Sequence, residues 1–127
     1  MRFKALMLTL VLLLPGCLDS EGEEIRFNGR NLEGSDVYMF TLEDSTGPLW
    51  NLTEQEGKVV VLAFIFTRCD NTCPVTSQNL KVVYESLTED ELAKVSFVSV
   101  TVDWRHDSPS ELNNWSDRMG YDWPHLT

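Results

Sequence analysis

Lys58 to Phe66 reads Lys-Val-Val-Val-Leu-Ala-Phe-Ile-Phe, an apolar run without polar alternation. Its β-branched and aromatic residues predict a central strand covered on both faces. Val75 to Leu87 carries Leu80, Val83, Tyr84 and Leu87 at three- and four-residue spacing, one apolar face of a helix. Pro74 suits that helix's first turn, where a missing N–H costs little. Thr88 to Glu91 is a capping-like acidic start to a brief helical segment, and Val95 to Val102 predicts a second strand. Ser108 and Pro109 open a further helix to Met119, amphipathic through Leu112, Trp115 and Met119. Upstream, Val37 to Leu42 alternates loosely and Leu49 to Leu52 returns after a turn cluster, predicting a hairpin. Thr53 to Gly57 follows as a polar turn or a single helical turn. Strand, helix, strand, helix in this order implies a parallel βαβ core.

The first residues follow a different pattern. Met1 to Lys4 is basic, and Ala5 to Leu14 is apolar apart from Thr9, too short to span a bilayer comfortably. Pro15-Gly16-Cys17 closes the run as the cleavage region of a secretory signal would. Leu14-Pro15-Gly16-Cys17 also resembles a lipobox, which implies lipidation of Cys17 as the first mature residue. Asp19 to Glu24 reads as an acidic flexible tether. The expected organisation is a signal peptide over 1–16, a lipidated Cys and tether over 17–34, and one domain over 35–127. The expected location is the extracytoplasmic face of the cell membrane, held there by the lipid.

Charge narrows the partners. The chain has a net charge of −10, and removing residues 1–16 takes away two cations and no anion, leaving −12. So acidic a surface argues against nucleic acid. Export places the chain in an oxidising compartment, and with Cys17 lipidated only two of its three cysteines remain as thiols.

Those two are Cys69 and Cys73, in Phe66-Thr67-Arg68-Cys69-Asp70-Asn71-Thr72-Cys73-Pro74, between the best strand and the first helix. Residues four apart on a helix rise about 6 Å and share a face. Such thiols can close a disulfide, or open to grip one soft metal ion. Arg68 and the helix N-terminus are expected to lower the thiol pKa values, with Asp70 opposing. Two thiolates suit Cu(I), and an added imidazole would give a site for either Cu(I) or Cu(II). A purely structural staple is the plainer alternative, but so small a loop constrains little of the unfolded chain.

The strand followed by Phe66-Thr67-x-Cys69-x-x-x-Cys73-Pro74 resembles the Sco/SenC family. Asp103-Trp104-Arg105-His106-Asp107-Ser108-Pro109 is similar to that family's second signature through Asp103, Asp107 and Pro109, with Ser108 a close replacement. The resemblance covers roughly residues 37 to 127. It implies a thioredoxin-like α/β fold, a three-layer α/β/α sandwich with an N-terminal β-hairpin. It also implies a membrane-tethered copper chaperone that assists assembly of the cytochrome c oxidase copper site. Copper would be held by Cys69 and Cys73 and passed to an oxidase subunit, with a thiol reductant keeping the pair reduced.

The family's third ligand, a His near a later strand, has no counterpart before Thr127. The resemblance therefore implies an incomplete copy of a longer protein, lacking the C-terminal strands and leaving the Lys58–Phe66 strand as an exposed apolar edge. Within the chain, His106 and His125 read first as loop residues. Of the two, His106 is the better outside candidate for a ligand, because a loop at a strand's C-terminal end can face the first motif.

The same thiol pair also suits a membrane-anchored thiol–disulfide oxidoreductase, in which one cysteine attacks a target disulfide and the other resolves the mixed disulfide. A peroxidase-like redoxin fits less well, because no cysteine stands out as a lone nucleophile. Trp50, Trp104, Trp115 and Trp123 read as packing residues, and Asp103 and Asp107 as helix-capping groups of a solvated loop. Asn51-Leu52-Thr53 and Asn114-Trp115-Ser116 match glycosylation sequons, which the lipobox discounts by pointing to a prokaryotic source.

Overall fold

A computed structural model describes residues 29–32 and 35–127. The expected signal peptide, Cys17 and all of the tether but residues 29–32 lie outside the described residues. The chain divides into two units, residues 1–35 and 36–127, and the regular elements of the described residues belong to the second. No helix among the described residues is long and apolar enough to cross a membrane.

Strands β1 (Thr41–Glu43) and β2 (Leu49–Asn51) form the expected hairpin in antiparallel register, Leu42 opposite Trp50. The first strand starts later than its alternation suggests: Val37, Tyr38 and Met39 are exposed and outside it. A short 3-10 turn, Leu52–Gln55, follows, capped by the Asn51 side chain, which accepts from the Thr53 N–H at 2.9 Å. Then come β3 (Val59–Ile65), α1 (Thr72–Ser86), the single turn α2 (Glu89–Leu92), β4 (Val95–Thr101), α3 (Pro109–Met119) and β5 (His125–Leu126).

The N-terminal caps match the sequence signals. Thr88 and Glu91 form a reciprocal capping box at α2. At α3, the Ser108 hydroxyl accepts from the Glu111 N–H, and Gly120 ends the helix in the left-handed region, φ 66°. A Cβ on Gly120 would come within 2.8 Å of Lys81 Nζ, and glycine avoids both that clash and the left-handed penalty.

β3, β4 and β5 form a parallel sheet in that order, with Ile65 beside Thr101 and Ser99 beside His125. Right-handed crossovers that step in one direction leave both helices on one face. On that face Ile65, Phe97 and Trp123 pack against Cys73 of α1 and Leu112 and Trp115 of α3, with Tyr121 completing the cluster. The opposite face carries Val98 and Leu126 beneath Trp50, with Phe40 and Leu42 packed around them. The second covering layer of the described residues is thus the hairpin rather than a helix. Two contacts pin it to β5: Ser45 N–H donates to the His125 carbonyl and Thr127 N–H to that of Glu43.

Among the described residues β3 is an edge strand, not a central one, and Phe64 is 67% exposed on its open face. An exposed apolar edge at this strand is what the sequence predicts; Val102, just past the middle strand β4, is exposed as well.

β5 is too short to show a periodic signal, and it overturns the loop reading of His125. The ring is 1% exposed among Trp115, Tyr121 and Trp123, and neither ring nitrogen has a hydrogen-bond partner. Burial holds its pKa below the ordinary histidine value, with the Tyr121 backbone and the Asp44 charge acting weakly the other way. The neutral ring is therefore favoured in the folded state. Its contribution is complete above the unfolded-state pKa of about 6.5 and is lost as pH falls towards the depressed folded value. In urea melts at pH 7.5 and pH 5.5 the parent chain should lose more stability on acidification than His125→Phe. Equal losses would show that His125 is not the titrating group.

Candidate thiol and metal site

β3 delivers the chain to a turn closed by the Cys69 N–H donating to the Phe66 carbonyl at 3.2 Å. α1 begins three residues later, so Cys69 precedes the helix and Cys73 sits in its first turn. Pro74 is the third residue of that helix, a position whose N–H has no intrahelical acceptor. Asn71, at the N-cap position, makes no side-chain capping bond. The Cys69 sulfur takes over part of that task, accepting from the Cys73 N–H at 3.1 Å. Both cysteines are free thiols, Cys69 half-buried and Cys73 buried at 7% exposure.

The two thiols differ electrostatically. The Cys73 thiol chiefly holds Cys69 below the ordinary cysteine value; burial opposes it, and the backbone N–H groups of Cys73, Asn71 and Thr72 add to the lowering. Burial pushes Cys73 up, and its neighbour Cys69 adds to the rise. Cys69 is the more accessible and more readily ionised sulfur, and Cys73 its shielded partner.

Arg68 does not act on the thiols as its position in the sequence suggests. Its guanidinium donates to Asp103 Oδ2 at 2.7 Å, while His106 Nδ1 lies 2.8 Å from Asp103 Oδ1. These two partners, His106 first, hold the Asp103 carboxyl below the usual range. His106 is exposed on the rim, as are Trp104 and Arg105, whose guanidinium stacks over the indole at 5.1 Å.

Asp107 departs furthest from its sequence reading. It is fully buried, and its carboxylate accepts from the Thr67 N–H at 3.0 Å, the Thr67 hydroxyl at 2.6 Å and the Thr101 hydroxyl at 2.6 Å. The helix-capping role falls to Ser108 instead. Asp107 and Thr67 each fall within one of the two signatures, but they lie 40 positions apart and nothing in the sequence pairs them.

Fold and turn bring Cys69 and Cys73 together. Among the described residues, no three His, Cys, Asp or Glu side chains are placed to hold one metal ion. The described site is thus a two-sulfur site. Sulfur donors fit a soft monovalent ion such as Cu(I), which tolerates low coordination numbers, better than a hard cation.

A family model described as SCO1/SenC matches residues 31–127. The chain is 27% identical over 97 residues to the SCO1 protein homolog of Bacillus subtilis, covering 68% of this chain and 50% of that protein. The solution structure of apo Sco1 from Thermus thermophilus superposes with a TM-score of 0.70 at 31% identity, over 84% of this chain and 61% of that one. ScoI of Bradyrhizobium japonicum, solved with copper bound, superposes with a TM-score of 0.67 at 22% identity, over 73% of this chain and 59% of that one. The fold is therefore thioredoxin-like in the Sco manner. The chain spans about half the length of the curated relative and about three fifths of these two solved ones.

Proposed function

This chain belongs to the SCO1/SenC family, and from that premise we propose that it carries copper through Cys69 and Cys73 and hands it on during assembly of the cytochrome c oxidase copper site. The observation that carries this reading is the pairing of two free sulfurs across one turn, with Cys69 Sγ accepting the Cys73 N–H at 3.1 Å. Copper is cargo here. The half-buried Cys69 is the sulfur an incoming acceptor ligand reaches first, so transfer by stepwise ligand exchange starts there. The buried Cys73 holds the ion until the exchange is complete. The family resemblance implies a histidine as third ligand, and among the described residues neither His106 nor His125 joins the two sulfurs in a three-ligand cluster.

The acceptor in this reading is an oxidase subunit, a thiol reductant keeps the pair reduced, and lipidation of Cys17 holds the domain outside the cytoplasmic membrane. The test is an anaerobic titration of the reduced chain with Cu(I) against a competing chelator. About one tightly held copper per chain is expected. A chain that leaves all its copper with the chelator rules the reading out.

The opposed pKa shifts of the two thiols favour a second activity on the same pair, thiol–disulfide exchange. The Cys69 thiolate attacks a target disulfide, breaking its S–S bond, releasing one target sulfur as a thiolate and forming a mixed disulfide with the other. Cys73 then displaces that second sulfur, leaving the target as a dithiol and the Cys69–Cys73 disulfide.

A further inference from the structure

We propose that Asp107 is a positioning residue for the thiol pair, acting through Thr67 to hold the turn that presents Cys69. The inference rests on the thiol chemistry of the proposed function, but not on copper. A fully buried carboxylate is costly unless its oxygens are well satisfied. Here three donors satisfy it, and two of them, the N–H and the hydroxyl, belong to the single residue Thr67. Thr67 is the second residue of the turn closed by the Cys69 N–H on the Phe66 carbonyl. Its neighbour Arg68 is held in turn by Asp103. The two residues immediately before Cys69 are thus gripped by two carboxylates of the 103–107 loop.

That loop is itself braced. The Thr101 hydroxyl that donates to Asp107 accepts from the Asp103 N–H at 3.0 Å, and the Thr127 hydroxyl donates to the Asp107 carbonyl at 3.1 Å. On the other side of Cys69, Asn71 contributes no side-chain cap. The upstream grip therefore decides where the Cys69 sulfur sits relative to Cys73. Loosening it lets the turn sample other positions and lowers the effective concentration of one thiol at the other.

The readout is disulfide closure with glutathione: the dithiol and one oxidised glutathione give the Cys69–Cys73 disulfide and two reduced glutathiones. The two electrons pass to the glutathione sulfurs, and the two thiol protons end on them. Measured on the full chain carrying Cys17→Ser, the equilibrium constant should fall about three- to tenfold in Asp107→Asn and in Thr67→Val. Thr67→Ser, which restores the hydroxyl, should return it to within about twofold of the parent. A loss of packing alone would not be repaired by the smaller serine. Parent-like constants in folded Asp107→Asn and Thr67→Val overturn the proposal, as does a serine variant that behaves like valine. Should Asp107→Asn fail to fold, the Thr67→Val and Thr67→Ser pair decides. Failure of the Cu(I) titration would remove the copper reading and leave these constants standing, so the two ideas fail separately.

Discussion

Replacing either Cys69 or Cys73 by serine is expected to lower Cu(I) affinity by about a hundredfold or more, well beyond the loss that follows from disturbing a residue behind the ligands. Serine is nearly isosteric, so the turn and helix start survive, but its hydroxyl is a hard donor that stays protonated near neutral pH. The two variants should differ in how they fail. Cys69→Ser removes the accessible sulfur and should slow both uptake and release. Cys73→Ser leaves an accessible thiol that still reacts with alkylating agents but holds the ion poorly. Competition with a Cu(I) chelator gives the affinities, and stopped-flow transfer to the chelator gives the rates. Retention of parent affinity in either variant would remove that sulfur from the site.

Ile65→Ala should cost about 2–5 kcal/mol of folding stability, the range for emptying a fully buried aliphatic position. Ile65 is 0% exposed, packs with Phe97, Leu112 and Trp115 under the helices, and its carbonyl accepts from the Val102 N–H. It is also the last residue of β3, directly before the turn that carries Cys69. Against the roughly 5–15 kcal/mol of a small domain, that loss is large enough to unfold much of the population on mild heating. Phe64→Ala, one residue earlier on the open face, supplies the contrast: its side chain is already in solvent, so little burial is lost. Urea midpoints compared among the parent and the two variants measure the difference. A similar loss in both would mean that the open face is covered in solution.

Much of the site was legible in sequence because its signals are local. The apolar run of β3, the Cys-x-x-x-Cys-Pro junction and the caps at Thr88 and Ser108 depend on residues within a few positions of one another. Periodicity also located α1 and α3 within a few residues, since one apolar face per helix is a condition for packing on a sheet at all. The strand–helix alternation sufficed for a parallel core.

What the tertiary structure decided involves partners far apart in the chain. Apolar patterning describes how a strand wants to be covered, not which strands are there to cover it, so β3 reads as central and stands at an edge. Arg68 beside Cys69 reads as a thiol activator, yet Asp103, 35 residues on, offers its guanidinium a carboxylate at 2.7 Å. Asp107 reads as a solvated cap because a lone Asp before Ser-Pro carries no sign of Thr67, 40 residues back. His125 reads as a loop residue because two residues of strand show no period, while aromatic packing buries it completely among Trp115, Tyr121 and Trp123. The sequence alone thus determined which atoms can do the chemistry, two thiols at a strand–helix junction, because that follows from residue type and local spacing. Only the fold decided what holds them in place, because burial and long-range hydrogen bonds exist only once distant segments have met.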